Sequence, residues 1–209
     1  MRTSGSEQLL SIKHELMHLG DICGDLVLKA SGILIKNNVV EVNKTAEEAI
    51  AAGELAHNLA ALCRERLMKD RWERSGFISA TIKITNEIEQ IVYFSSAAAK
   101  LASEISTAAS DTVSAMTADI AGTCRELINY GIDAFVRNDV ISADSAEDIG
   151  YKISENSSKA ISEIFAKIKT ESLDEESISS LITLINLFKF ICEKALCISR
   201  HALESFEIR

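Results

Sequence analysis

The stretch NEIEQIVYFSSAAAKLASE, Asn86 to Glu104, carries the clearest structural signal in this chain of 209 residues. Together with the residues on either side, it places apolar or small side chains at alternating intervals of three and four positions. That spacing keeps one face of an α-helix apolar and is typical of helices that pack along a seam. We predict one long helix here, whose seam consists of Phe77, Thr81, Ile84, Ile88, Ile91, Ser95, Ala98, Ala102 and Ile105.

A sparse copy of this region lies about 100 residues further along the chain. At this offset the tetrapeptide TAEE at 45–48 faces SAED at 145–148. Because the register holds without gaps, we predict a duplicated unit, with one copy in residues 1–108 and the second in residues 109–209. The other matches are Ile82 with Ile182, Asn86 with Asn186, Ile91 with Ile191, Ala102 with Ala202 and Glu104 with Glu204.

Each unit contains three segments with helical periodicity. In the first unit the segments end at KNN (36–38), at KDRWERSG (69–76) and after the quoted stretch. In the second unit RND (137–139) ends the fourth helix, the fifth covers about 140–169, and ESLDEES (171–177) forms the loop before the sixth. No segment alternates apolar and polar residues with the two-residue period of a β-strand over a useful length. The predicted fold class is therefore all-α, with two tandem three-helix bundles built from six long antiparallel helices.

The composition supports long helices and excludes some functions. The chain has no proline and nine glycines, so few residues interrupt a helix. Its net charge of −9 argues against binding to nucleic acid or to an anionic membrane surface. No apolar run reaches the roughly 18 residues of a spanning helix, and the start MRTSGSEQLL is no signal peptide. The five cysteines are odd in number and lack CxxC spacing, so we expect buried free thiols in a reducing cytoplasm.

One motif suggests zinc. HELMH, His14 to His18, matches the H-E-x-x-H pattern of zinc peptidases, in which two histidines bind the metal and the glutamate acts as base. At about 100° per residue, however, His14 and His18 point away from the apolar stripe through Leu16 and Cys23. We also find no third ligand. We interpret the motif as a chance match on a solvated helix face.

Two E-x-x-H pairs, Glu15 with His18 and Glu54 with His57, suggest an alternative function. Ferritin-like di-iron proteins use two such pairs and further glutamates, all directed into the helical bundle. This alternative is a carboxylate metal-binding oxidase or metal store. The second unit contains no such pair. The chain also has no glycine-rich phosphate loop and no nucleophile beside an evident base, so we predict no catalytic, cofactor-binding or metal residues and no enzymatic activity.

The chain resembles the PhoU family of phosphate-uptake regulators over nearly its whole length. The resemblance rests on two helix-and-turn stretches, LMHLGDICGDLVLKASGILIKNN (16–38) and GIDAFVRNDVISADSAEDI (131–149). It also rests on the third helix of each unit, IKITNEIEQIVYFSSAAAKLASE (82–104) and INLFKFICEKALCISRHALE (185–204). The resemblance implies a cytoplasmic helical adaptor that restrains phosphate uptake and signalling by docking on a transporter ATPase, a membrane sensor kinase, or both.

Some PhoU proteins bind iron or zinc clusters on their outer helix surfaces through an acidic motif, Glu or Asp, three residues, then Asp. Carried onto this chain, the motif falls on Glu89 and Tyr93 in the first unit and on Lys189 and Glu193 in the second. Each copy therefore keeps one carboxylate. Three cationic side chains share these stripes: Lys100, Lys189 and Arg200. Because hard cations need several oxygen ligands, we predict that Glu89 is a solvated relic of the motif. Long helices with Ala- and Ser-rich faces also permit a homodimer.

Overall fold

The computed structural model describes residues 5–36, 39–69, 75–105, 111–139, 141, 145–146, 150, 155–156, 158–163, 165–166 and 175–207. Five helices are described from end to end: α1 (Gly5–Lys36), α2 (Val39–Lys69), α3 (Ser75–Glu104), α4 (Asp111–Arg137) and α6 (Glu175–Glu207). The fifth, α5, comprises the described residues between 141 and 166, which are all helical. The described residues contain no strand, and the predicted all-α class is confirmed.

The seam predicted from the quoted stretch forms the buried face of α3. Its positions from Thr81 to Ile105 are all buried. Phe77, at the start of the seam, is partly buried and stacks on Phe135 of α4 with ring centroids 4.6 Å apart. The apolar periodicity of α3 therefore sets which side of the helix faces the core.

The helices pack into one body. α3 contacts α1, α2 and α6, and α4 contacts α1 and α6. The pairs that join the two predicted units, α1 with α4 and α3 with α6, are as extensive as the pairs within the first unit. The buried apolar side chains accordingly form a single hydrophobic cluster that runs through both units. The division into residues 1–108 and 109–209 stays a prediction that rests on the sequence repeat alone.

The burial pattern of the third helices recurs at an offset of 100. The buried positions of α3 recur in α6, including Ile84 and Leu184, Ile88 and Phe188, Ile91 and Ile191, Ala98 and Ile198, and Ala102 and Ala202.

In the other helices the offset is 101, so the predicted gap-free register is wrong there. Thr45 is buried whereas Ser145 is exposed, and the buried equivalent of Thr45 is Ala146. The second unit is therefore one residue shorter between its second and third helices. Matching buried positions in α1 and α4 are Leu16 and Thr117, Leu19 and Ile120, Cys23 and Cys124, Leu26 and Leu127, and Val27 and Ile128.

Glycines allow neighbouring helices to approach closely, both between the two units and within the second unit. A methyl group at Gly20 of α1 would lie 2.5 Å from Ile132 Cδ1 of α4. At Gly131 of α4 it would lie 2.8 Å from Ser199 Oγ and 3.3 Å from the Ser199 backbone nitrogen of α6. Gly131 therefore needs a residue without a side chain, because the Ser199 backbone cannot move aside, whereas the flexible end of the Ile132 side chain beside Gly20 can shift.

All five cysteines are free, as predicted, and four of them are buried while Cys197 is partly buried. Burial raises the pKa of the Cys63 thiol to about 11. Burial also raises the pKa of Cys23. The Cys124 thiol donates to the backbone carbonyl of Phe188 at 3.5 Å.

None of the described helices combines the length and apolar character that crossing a bilayer requires.

Candidate functional site

The HELMH residues lie on the outside of α1. His14, Glu15 and His18 are exposed, whereas Leu16, between them, is completely buried. Within the described part of the chain, no three or more His, Cys, Asp or Glu side chains are grouped so that they could hold a metal ion. The two histidines therefore face solvent, as their helical angles predict.

The two E-x-x-H pairs do not form a ferritin-like arrangement. Glu54 and His57 are exposed on α2, as Glu15 and His18 are on α1. Ferritin-like centres need these side chains inside the bundle. Here the buried residues of α1 and α2 are apolar or small, including Leu19, Cys23, Ala52, Ala56 and Leu59.

The structure brings together two residues that the sequence suggested separately. His57 and Glu89 line an open groove of about 430 Å³ between α2 and α3, together with Gly53, Glu54 and Asn58. His57 Nδ1 lies 3.8 Å from Glu89 Oε1, and 38% of the Glu89 side chain is exposed. Glu89 is thus partly solvated, as predicted, but it faces an imidazole across the groove. A protonated His57 would form an exposed ion pair with Glu89, which stabilises a protein only weakly.

Beside this groove, Tyr93 occupies the position of the missing second carboxylate. Its side chain is 70% exposed, and its ring lies edge-on to Phe94 with centroids 5.6 Å apart. Phe94 in turn contacts Phe190 of α6, at 5.7 Å between centroids, and Phe190 is 46% exposed. We call Tyr93, Phe94 and Phe190 the aromatic patch.

Further along the same helix pair, charged side chains link α3 to α6. Lys83 Nζ donates to Glu204 Oε2 at 2.8 Å. Lys194 Nζ lies 3.4 Å from the buried Oε2 of Glu87. His201 lies between the two carboxylates, with Nε2 3.6 Å from Glu87 Oε1 and Nδ1 3.4 Å from Glu204 Oε2. The hydrogen bond from Lys83 is the main cause that holds the pKa of Glu204 below its ordinary value.

Neither the aromatic patch nor this charged cluster could be predicted from the sequence. Both depend on which residues of α3 and α6 lie opposite each other, and helical periodicity within one segment does not contain that information. Tyr93 and Phe94 stand in the quoted stretch, but only the packing of α6 places Phe190 beside them.

Solved structures match this architecture over nearly its whole length, and two of them are described here. The crystal structure of PhoU from Pseudomonas aeruginosa matches with a TM-score of 0.89 and 16% sequence identity, covering 99% of this chain and 100% of that one. The chain has the PhoU fold. The phosphate transport system regulatory protein PhoU from Streptococcus pneumoniae matches with a TM-score of 0.86 and 12% identity, covering 98% and 97%.

No protein-family sequence profile matches the chain, and a search of curated proteins finds no significant match. The shared fold therefore confirms the resemblance to PhoU proteins, although only 12–16% of the residues are identical. Within this PhoU fold, α3 takes part in all three features: it forms the groove with α2, and the aromatic patch and the charged cluster with α6.

Proposed function

We propose that this protein is a non-enzymatic regulator of phosphate uptake and phosphate signalling, and that it acts in the cytoplasm as a helical adaptor. The observation that carries the proposal is the full-length match to a protein described as a phosphate transport system regulatory protein. The proposed partners, by resemblance to the PhoU family, are the ATPase of a phosphate transporter, a membrane sensor kinase, or both.

The architecture supports an adaptor. A single hydrophobic cluster holds helices of both units in one body, so their outer faces keep fixed positions relative to one another. Pre-organised surfaces bind with a smaller loss of conformational entropy than flexible ones. The protein would therefore exert its effect through docking.

The proposal is tested by binding and by physiology. We expect the purified full-length protein to bind the ATPase of the phosphate transporter encoded in the same genome, and binding to differ between high and low phosphate. The ATPase of an unrelated transporter from that genome is the matched control.

Deleting the gene should raise phosphate uptake under phosphate-replete conditions. Unchanged uptake together with no binding to the ATPase or to a phosphate-sensor kinase would contradict the proposal.

Elemental analysis separates this proposal from the metal-oxidase alternative. A ferritin-like centre would retain about two irons per chain and lose them in Glu54→Ala or His57→Ala. The exposed positions of these two residues do not favour that outcome.

A further inference from the structure

We propose that Cys124 of α4 and Cys192 of α6 form a redox-sensitive pair, which hydrogen peroxide converts to a disulfide that locks these two helices together. The inference goes beyond the proposed function and does not depend on it. The disulfide would act on the second unit alone, because the matching place in the first unit lacks one of the two thiols.

The two thiols meet inside the contact between α4 and α6. Cys124 is completely buried and Cys192 is 3% exposed, and both are free. The Cys124 thiol lies 3.5 Å from the carbonyl oxygen of Phe188, which stands one turn before Cys192 on α6. Because helical side chains lean towards the N-terminus of their helix, the Cys192 thiol is directed over that same turn. The Cys124 and Cys192 thiols accordingly hydrogen-bond to each other.

This arrangement favours a disulfide. Such a bond forms only between cysteines whose side chains point towards one another, and thiols that share a hydrogen bond across two helices meet this condition. Small rotations of the two side chains then bring the sulfur atoms together.

The internal repeat shows that packing does not require the pair. Cys23 of α1 corresponds to Cys124, and it is buried in the same way. The residue that corresponds to Cys192 is Val92 of α3, which is 4% exposed. The fold therefore accepts valine at this place, and the second unit holds a thiol where the first unit has an inert side chain.

The reaction balances with hydrogen peroxide as the oxidant. The thiolate of one cysteine attacks a peroxide oxygen and the O–O bond breaks, which leaves a sulfenic acid on the sulfur and releases hydroxide that takes up the proton of the first thiol as water. The second thiol then attacks the sulfenic sulfur, so that an S–S bond replaces the S–O bond and a second water leaves with its proton. Two electrons thus pass from the pair of sulfur atoms to the peroxide.

Burial makes the pair slow to react. The hydrogen bond with Cys192 and the loss of hydration raise the pKa of the Cys124 thiol well above its ordinary value. Since the thiolate is the reactive form, reaction waits for brief openings of the contact between α4 and α6 that admit water. The pair therefore stays reduced under reducing conditions and responds to sustained oxidation.

Peroxide treatment of the reduced full-length protein, followed by thiol blocking and peptide mass spectrometry, tests the proposal. We expect a linked pair of peptides that contains Cys124 and Cys192 and that dithiothreitol separates. The crosslinked protein should melt about 5–10 °C above the reduced protein, because the bond closes a long loop and restricts the unfolded chain.

Two substitutions exchange the residues of the two units. Cys192→Val should abolish the crosslink and the rise in melting temperature, while the reduced variant keeps the wild-type circular dichroism spectrum, because Val92 packs at the equivalent place. Val92→Cys should add a crosslink to Cys23. Cys197→Ser, which removes the partly buried thiol on the same helix, should leave the bond between Cys124 and Cys192 unchanged.

Three results would overturn the inference. They are treated protein in which Cys124 and Cys192 stay free thiols, oxidation of either residue to a sulfinic acid without a crosslink, and a crosslink that forms only after the protein is unfolded in urea. A Val92→Cys variant that forms no bond to Cys23 would contradict the correspondence between the two units. Each of these leaves the transporter-binding test of the proposed function unaffected, so the two can fail separately.

Discussion

Asn138 has a φ angle of 63°, in the left-handed region that residues other than glycine rarely adopt. Its backbone N–H donates to the Phe135 carbonyl at 3.3 Å, and the Asp139 N–H donates to the Ala134 carbonyl at 2.8 Å. This pair of bonds is the Schellman motif that ends many helices. Lys13 of α1 adds a third cap, because its Nζ donates to the Val136 carbonyl at 2.6 Å. The predicted end of the fourth helix at RND is confirmed.

Substitutions at Asn138 should reveal this conformation. Asn138→Ala should lower the free energy of unfolding by about 1 kcal/mol, because an alanine side chain is disfavoured at positive φ. Asn138→Gly should keep or raise it. Urea denaturation measures both, with Asn58→Ala in the exposed helical surface of α2 as the matched control. A loss of stability in Asn138→Gly equal to that in Asn138→Ala would contradict the capping role.

At the scale of elements, Gly131 sets how closely α4 approaches α6. Gly131→Ala should lower the free energy of unfolding by about 1–3 kcal/mol, because the new methyl group meets both the side chain and the backbone of Ser199. Gly122→Ala on the same helix has open space around it and should raise stability by up to about 1 kcal/mol through helix propensity. Chemical denaturation of the two variants provides the comparison. Equal effects of the two substitutions would show that α4 does not approach α6 as described.

The pair between Lys83 of α3 and Glu204 of α6 should make a pH-dependent contribution. Because Lys83 holds the folded-state pKa of Glu204 below its unfolded value, the pair stabilises the fold above pH about 4.3. The stabilisation is lost as pH falls through the folded-state pKa. Both side chains are half-exposed, so Lys83→Met should lower the melting temperature at pH 7 by no more than about 4 °C.

At pH 3 the difference between Lys83→Met and wild type should shrink. Lys100→Met, which alters an exposed lysine without an ion pair in the described part of the chain, serves as control across the same pH range. A Lys83→Met effect that stays constant from pH 7 to pH 3 would rule out the linkage.

At the scale of the whole molecule, the single hydrophobic cluster predicts a single unfolding transition. Separating the two units would expose the faces that α1 shares with α4 and α3 shares with α6. Calorimetry of the full-length protein should therefore give one transition whose calorimetric and van't Hoff enthalpies agree. Two resolved transitions would indicate that residues 1–108 and 109–209 fold independently.

Local patterns in the sequence determined much of this protein. The three-and-four spacing from Phe77 to Ile105 fixed the buried face of α3, because helical geometry converts spacing directly into direction. The RND sequence marked the end of α4. The exposure of His14 and His18 followed from their positions around the helix axis, away from the apolar stripe. These features depend on residues within one helix.

Only the tertiary structure decided how the helices meet. The offset of 101 in α1 and α4, where the sequence indicated 100, appeared from burial, since sparse identities do not fix a register when most positions tolerate any small or apolar residue. The groove of His57 and Glu89, the charged cluster and the aromatic patch each join residues of two helices. Their positions follow from long-range packing between side chains far apart in the chain, which no periodicity within a single segment encodes.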